Sequence, residues 1–137
     1  MSYFPDLDSA EQWASDWEAR AREQLFQAKE MATRVSDLKA TAENRDRTVS
    51  VTVESNGVPT AIKLSEAVSQ WYPERIANEI LATMAKAQAM LTAAVTQVAE
   101  ETVGAESETG RAILDTYHNR FPAPPEDPSD QREDRSR

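Results

Sequence analysis

The amino-acid sequence predicts an α+β fold in which a small antiparallel sheet lies between two long helices. Apolar residues recur every three or four positions from about residue 9 to 38, and again from 73 to about 103, which is typical of helices. Between them, the stretch 48–64 alternates apolar and polar residues around an Asn-Gly pair, which is typical of a β-hairpin. We therefore expect the order α-β-β-β-α, followed by one short helix.

The first helix is predicted to run from Pro5 to about Leu38. Ser9 to Gln12 has the S-x-x-Q form of a capping box, and nothing interrupts the helical period after it. At about 1.5 Å per residue this helix is roughly 40 Å long, too long to bury its apolar stripe against one hairpin. The stripe consists of Trp13, Trp17, Ala21, Leu25, Ala28, Ala32 and Val35.

The hairpin is predicted to close at Asn56-Gly57 in a two-residue type I′ turn, which requires positive φ at both residues. That turn pairs Val53 with Thr60, Val51 with Ile62 and Val49 with Leu64. The three valines then share one face with Ile62 and Leu64, and a one-residue slip would move this apolar set into water.

A third strand is expected ahead of the hairpin. Residues 39–44 alternate weakly, and Arg45-Asp46-Arg47 provides a turn into the strand that begins at about Val49. Pro59 cannot donate a ladder hydrogen bond, so its strand is expected at an edge or to begin there.

The second long helix is expected to begin at Pro73 and to end at Gly104, after a short helical turn at 65–70. It carries few charges, and a helix of this kind usually packs on more than one side. One small sheet and one other helix offer little cover, so we infer self-association. Ile80, Met84 and Leu91 are the candidate dimer contacts on this helix.

The C-terminal part divides into a short helix and a tail. Residues 105–121 favour a helix with Ile113, Leu114 and Tyr117 on one side. From Pro122 onward the chain is rich in proline and charge, which is typical of disorder. We therefore expect one domain over residues 1–121 and a disordered tail over 122–137.

Composition limits the compartment and the chemistry. Net charge is −9, which argues against bulk attraction to nucleic acid or anionic membranes without excluding a local basic patch. There is no cysteine, which removes disulfides and thiolate chemistry. The N-terminus has no secretory pattern, and the longest uncharged run of the second helix, 87–99, is shorter than the roughly 20 residues of a membrane span. These features fit a cytoplasmic protein.

Catalytic and cofactor motifs are not recognised in the sequence. The single histidine, His118, has no acid or nucleophile at a recognisable spacing, and its simplest interpretation is a surface or packing residue. The three glycines do not form a phosphate loop, and the acidic residues are spread along helix surfaces. We expect no enzyme activity, no cofactor and no metal site.

Two groups of side chains are candidates for binding. Arginine and lysine bind phosphate without any sequence motif, although the pairs Glu18–Arg22 and Glu30–Arg34 have the spacing of simple helical ion pairs. The cations of interest are Arg20, Arg22, Lys29, Arg34, Arg45 and Arg47. Trp13 and Trp17 lie one helical turn apart, which suits either a core or dimer contact or an anchor for a partner protein.

The pattern resembles the YbaB/EbfC family of nucleoid-associated proteins. The residues that carry the resemblance are Val49 to Val53, Asn56-Gly57, Thr60 to Leu64 followed by Ser65 to Val68, and the helical run from Ile76 to Val98. The similarity covers about Leu25 to Val103.

The resemblance implies a homodimer of α-β-β-β-α subunits that binds double-stranded DNA with little sequence preference in the bacterial nucleoid. It also implies contact through the helical arms. By position, Arg20, Arg22, Lys29 and Arg34 are then the candidates, with Arg45 and Arg47 near the sheet.

The chain also departs from the family pattern. The first turn of the sheet is usually glycine-rich in the family but is Arg45-Asp46-Arg47 here, and the N-terminal extension and the tail lie outside the common core. Divergent actinobacterial members include proteins associated with type VII secretion. The alternative is therefore a cytoplasmic protein-interaction module without DNA binding, with Trp13 and Trp17 as its anchors.

Overall fold

A computed structural model describes residues 5–122 and confirms the α+β fold class, with a long helix, a three-stranded antiparallel sheet, a second long helix and a short third helix. The elements are α1 (Pro5–Ser36), β1 (Lys39–Glu43), β2 (Val49–Glu54), β3 (Pro59–Leu64), a 3₁₀ helix (Glu66–Gln70), α2 (Pro73–Glu101) and α3 (Glu108–Arg120). Residues 123–137, where the tail was expected, lie outside the described residues.

The sheet is a meander in the order β1-β2-β3. The predicted pairs Val49–Leu64 and Val51–Ile62 are confirmed. The predicted partner of Val53 is wrong, because a register shift brings Val53 opposite Pro59 and leaves Thr60 as an extra residue. Pro59 begins an edge strand, as expected for a residue without a backbone donor.

The β2–β3 turn also differs from the predicted type I′ turn. The amide of Gly57 donates to the carbonyl of Glu54 over 2.8 Å, and Gly57 has a φ of +83° whereas Asn56 does not have positive φ. The loop is thus three residues long and ends in a glycine with left-handed backbone conformation. This is the next most common form of hairpin loop after the two-residue turns. The Asn56 side chain accepts a hydrogen bond from the Val58 amide at 3.0 Å and stabilises this form.

The core lies between α2 and the first two strands. Val49, Val51 and Val53 are fully buried, and Ala40 and Ala42 of β1 lie beside them. Because α2 packs across β1 and β2, the third strand is left uncovered. Ile62 and Leu64 therefore share the valines' face, as predicted, but remain 46% and 45% exposed.

Pro73 lies in the first turn of α2, as predicted, and Gly104 follows the end of this helix with a φ of +87°. α3 then packs against α2 and reaches the β2–β3 turn. The Tyr117 hydroxyl donates to the Ser55 carbonyl over 2.6 Å, and Ile113 and Leu114 face the core, as predicted. Burial raises the pKa of Tyr117.

α1 divides into an anchored end and a projecting arm. Met31 and Val35 are buried in the core near its C-terminus. Residues 7–26 are all exposed and extend about 30 Å along the helix axis. We call residues 7–26 the α1 arm.

Candidate nucleic-acid interface

The side chain of Asn44 makes several of the hydrogen bonds that fix the turn between β1 and β2. Its Oδ1 atom accepts hydrogen bonds from the amides of Thr48 at 2.8 Å and Val49 at 3.0 Å. Its Nδ2 atom donates to the Thr48 hydroxyl at 2.8 Å. An asparagine side chain that accepts from the following backbone in this way fixes a turn locally.

Two further contacts fix this turn to α2. Asn44 Nδ2 donates to Glu79 Oε2 at 3.2 Å, and Lys86 Nζ donates to the backbone carbonyl of Glu43 at 2.9 Å. Glu79 and Lys86 are separated by seven residues, about two helical turns, and so lie on the same side of α2. Two side-chain hydrogen bonds therefore join the turn region to the middle of α2.

Arg47 adopts a left-handed backbone conformation with a φ of +58°. Its amide donates to the Asn44 carbonyl over 3.0 Å, which closes the turn. A residue with a Cβ atom is strained in this region by roughly 1 kcal/mol or more, whereas glycine is not. Non-glycine strain of this kind is common at functional sites.

The β1 strand, the β1–β2 turn and α2 line an open groove of about 510 Å³. We call it the turn groove. Its charged lining residues are Glu43, Arg45, Arg47 and Lys86, three cations against one carboxylate. Arg47 Nε lies 3.8 Å from Glu43 Oε2, a loose and solvent-exposed ion pair. The turn groove therefore combines guanidinium and ammonium donors on an open surface, which suits a phosphate ligand.

The candidate cations of α1 do not form one surface. Arg20 and Arg22 are two residues apart, so their side chains leave the helix about 160° from each other. Arg22 Nη2 lies 3.8 Å from Glu18 Oε2, which confirms the predicted helical ion pair. Among residues 5–122, Arg20 and Lys29 make no ion pair.

Arg34 pairs with Glu101 of α2 rather than with Glu30, so the predicted Glu30–Arg34 pair is wrong. The hydrogen bond from Arg34 lowers the pKa of Glu101, with Gln97 and the Arg34 charge adding to the effect. The arginine thus joins the ends of two helices. That role was not visible in the sequence because its partner is 67 positions away.

Lys86 is a member of the site that the sequence analysis did not select. Lys86 is the only lysine or arginine between Arg75 and Arg111 in the sequence. Its isolation on a largely uncharged helix is the feature by which the sequence could have indicated a functional role. Its proximity to Arg45 and Arg47 depends on how α2 crosses the sheet.

The apolar candidates also separate into different environments. Trp13 and Trp17 are 64% and 59% exposed on the α1 arm, while Ile80 and Met84 are half-buried against the core. Leu91 is fully buried within its own subunit, where no partner can touch it. Its selection as a dimer contact is therefore corrected, since the apolar stripe of α2 is used by the subunit itself.

Possible metal ligands do not cluster. Within residues 5–122, no group of three or more histidine, aspartate or glutamate side chains is arranged to hold a metal ion. In the same residues, no helix is both long and apolar enough to cross a membrane.

The fold is that of a small α+β protein, and the turn groove is an open surface lined by three cations and one carboxylate. The chain belongs to the YbaB/EbfC DNA-binding family, whose family model matches residues 15–106. The match confirms the resemblance to this nucleoid-associated family and covers the sheet, α2 and most of α1. Trp13 precedes the matched residues and α3 follows them. No curated protein and no solved structure matches the chain.

Proposed function

We propose that this protein binds double-stranded DNA as a homodimer, with little preference for sequence, in the cytoplasm at the bacterial nucleoid. Membership of a DNA-binding family supports the ligand class. The observation that carries the proposal is the turn groove, whose lining includes three cations, Arg45, Arg47 and Lys86, and one carboxylate, that of Glu43. Contacts of these cations to phosphate would position the duplex without reading its bases.

The acidic composition of the chain determines the range and the salt dependence of the proposed DNA binding. The net charge of −9 and the seven carboxylates of α1, against its four cations, provide no long-range attraction to DNA. Binding then depends on short-range phosphate contacts, which are sensitive to salt. Three groove cations per subunit give six in a dimer, so the logarithm of affinity should fall with the logarithm of salt concentration with a slope of about −5.

The α1 cations Arg20 and Lys29 are proposed as secondary contacts. Both are exposed, and neither makes an ion pair among the described residues. Arg22 is a weaker candidate because Glu18 lies beside it, and Arg34 is held by Glu101. We expect substitutions in the turn groove to weaken binding more than substitutions of Arg20 and Lys29.

Homodimer formation is supported by the apolar surface that one subunit leaves uncovered. Ile62 and Leu64 are half-exposed on the valine face of the sheet, beyond the edge of α2. Apolar side chains on the inner face of a sheet are normally covered by a second layer. A second subunit is the proposed cover.

The test is a titration of a labelled, random-sequence duplex of about 30 base pairs, followed by fluorescence anisotropy at low and at physiological salt. The groove variant R45Q/R47Q/K86Q removes three charges. The control K39Q/K63Q/R111Q removes three charges outside the turn groove. We expect the groove variant to lose most of its affinity and salt dependence, and the control to lose little. Equal losses would contradict a role for the groove.

A protein-interaction module remains the second candidate, and one observation favours it. Trp13 and Trp17 are more than half exposed, as expected of partner anchors, whereas Trp71 is half-buried. Absence of DNA binding even at low salt would favour this candidate. Acrylamide quenching of fluorescence in wild type and in a W13F/W17F variant would then establish whether the two tryptophans are exposed in solution.

A further inference from the structure

Arg75, in the first turn of α2, stacks its side chain on an aromatic ring. The Cζ atom of its guanidinium lies 3.7 Å from the centroid of the Trp71 ring, which is a cation–π contact. Trp71 is half-buried and packs against the core, so the ring is a fixed support. The guanidinium is therefore held in place, whereas a long side chain on an open helix surface samples many rotamers.

The charge of Arg75 is exposed and is not neutralised by a carboxylate. Within residues 5–122, Arg75 makes no ion pair. Stacking covers one face of the guanidinium, but its N–H donors point outward in the plane of the group and stay accessible. A guanidinium presented in this way can donate two parallel hydrogen bonds to a phosphate group.

Arg75 lies on the same side of α2 as Lys86 of the turn groove. The two residues are 11 positions apart, about three helical turns, so their side chains leave the helix within about 20° of each other and about 16 Å apart along its axis. Glu79 lies between them and accepts the hydrogen bond from Asn44. The β1–β2 turn therefore contacts α2 about one helical turn beyond Arg75.

The carboxylate of Glu79 divides this side of α2 into two phosphate positions. A phosphate directly over Glu79 would meet a like charge, whereas Arg75 and Lys86 offer opposite charges on either side of it. Successive phosphates of one strand rise about 3.4 Å along the DNA axis. Cations separated by about 16 Å therefore contact different phosphates of the same duplex. Glu74 does not block Arg75, because its side chain leaves the helix about 100° away.

We infer that Arg75 is a further phosphate contact of this protein, outside the turn groove, and that Trp71 is the residue that positions it. This inference rests on the proposed DNA binding. The two Arg75 side chains of a dimer add two contacts to the six of the turn grooves, so the expected salt slope steepens from about −5 to about −7. Trp71 acts through the arginine, by reducing the rotamer freedom that is lost on binding.

The experiment compares R75Q with R111Q in the full-length protein, by anisotropy titrations of the random-sequence duplex over a series of salt concentrations. Both variants remove one exposed arginine, but Arg111 lies on α3 beside Glu106. We expect R75Q to lose affinity several-fold and to flatten the salt slope by about 2 per dimer. R111Q should keep both. An R75Q protein with the affinity and slope of wild type would overturn the inference.

W71L separates the support from the charge, since it keeps Arg75 and removes the ring beneath it. We expect weaker binding at an unchanged salt slope, because the arginine still reaches the phosphate but loses more rotamer freedom. Circular dichroism melts accompany each titration. A purely structural contact between Trp71 and Arg75 would lower the melting temperature of R75Q and leave its salt slope unchanged, and that result would also overturn the inference.

Trp71 provides a direct spectroscopic readout of the contact. The substitutions W13F/W17F leave it as the only tryptophan of the chain. Addition of the duplex should change its fluorescence emission with the same midpoint as the anisotropy, and R75Q in this background should remove that change. Emission from Trp71 that does not respond to saturating duplex would contradict a phosphate contact at Arg75.

The failure of this inference can be distinguished from the failure of the proposed function. Absence of DNA binding by wild type even at low salt would overturn both. Binding that is lost in R45Q/R47Q/K86Q but unchanged in R75Q would overturn only the role of Arg75. Binding that is weakened in R75Q but unchanged in the groove variant would contradict only the role of the turn groove.

Discussion

Arg47 and Gly57 occupy the same position in the two turns of the sheet. In each turn, the amide of this residue donates to the carbonyl three residues earlier, Asn44 at 3.0 Å and Glu54 at 2.8 Å, and in each the backbone φ is positive. Glycine adopts that conformation without strain, whereas arginine does not. The first turn therefore places a guanidinium where the backbone favours glycine.

The first prediction concerns Arg47→Gly. Relief of left-handed strain is expected to raise the free energy of unfolding by roughly 1 kcal/mol, while loss of the guanidinium weakens DNA binding several-fold. Urea denaturation and duplex anisotropy measure the two effects. Arg47→Gln is the matched control, since it removes the charge and keeps the strain. A more stable Arg47→Gly protein with unchanged DNA affinity would exclude Arg47 as a contact.

The second prediction compares two glycines that both have positive φ. A Cβ atom at Gly57 would overlap the ring of Phe121, whereas one at Gly104 would meet nothing within 4 Å. We expect Gly104→Ala to cost about 1 kcal/mol from strain alone. Gly57→Ala should cost roughly 1–3 kcal/mol more, because it also overpacks the turn.

Thermal or urea denaturation of both alanine variants tests this difference. Shortening Phe121 to alanine in the Gly57→Ala background should recover the overpacking part of the loss. Equal destabilisation at the two glycines would mean that the third helix does not hold the hairpin turn.

The third prediction separates positioning from charge in the turn groove. Asn44→Ala leaves the Thr48 and Val49 amides without their acceptor, at a cost of about 2 kcal/mol. DNA affinity should also fall, although no charge has been removed, because the loosened turn no longer holds Arg45 and Arg47 in place. Circular dichroism melts and anisotropy titrations measure both quantities.

Asn56→Ala is the matched control for that experiment. Asn56 accepts one hydrogen bond, from the Val58 amide, in the other turn of the sheet. This variant should lose about 1 kcal/mol of stability and keep its DNA affinity. The same loss of affinity in both variants would point to general destabilisation and not to positioning.

The fourth prediction concerns the Arg34–Glu101 pair. The folded state lowers the pKa of Glu101 below its ordinary value of 4.5, chiefly through the hydrogen bond from Arg34. The resulting stability is present above pH 4.5 and is lost as pH falls through the lowered pKa. Wild type should therefore be more stable than Arg34→Gln at neutral pH, with the difference shrinking on acidification. A difference that does not depend on pH would contradict this assignment.

Local patterns in the sequence predicted most of the fold. Helical periods located α1 and α2 to within a few residues, because the periods of apolar residues directly reflect helix and strand geometry. Alternation around Asn56-Gly57 fixed the pairing of Val49 and Val51 with β3. It also predicted the shared face of Ile62 and Leu64. These features depend only on residues close together in the chain.

Tertiary structure alone determined the rest. At the β2–β3 turn, the ring of Phe121 lies against Gly57, and Gln88 Nε2 donates a hydrogen bond to the Gly57 carbonyl. Both side chains come from parts of the chain far from the turn. Lys86 joins the turn groove only because α2 crosses β1, and Leu91 is removed from any interface by the same packing. Such relations link positions far apart in the chain, and no local period encodes them. The sequence therefore determined which elements form, and the packing of α2 determined which side chains are brought together as a site.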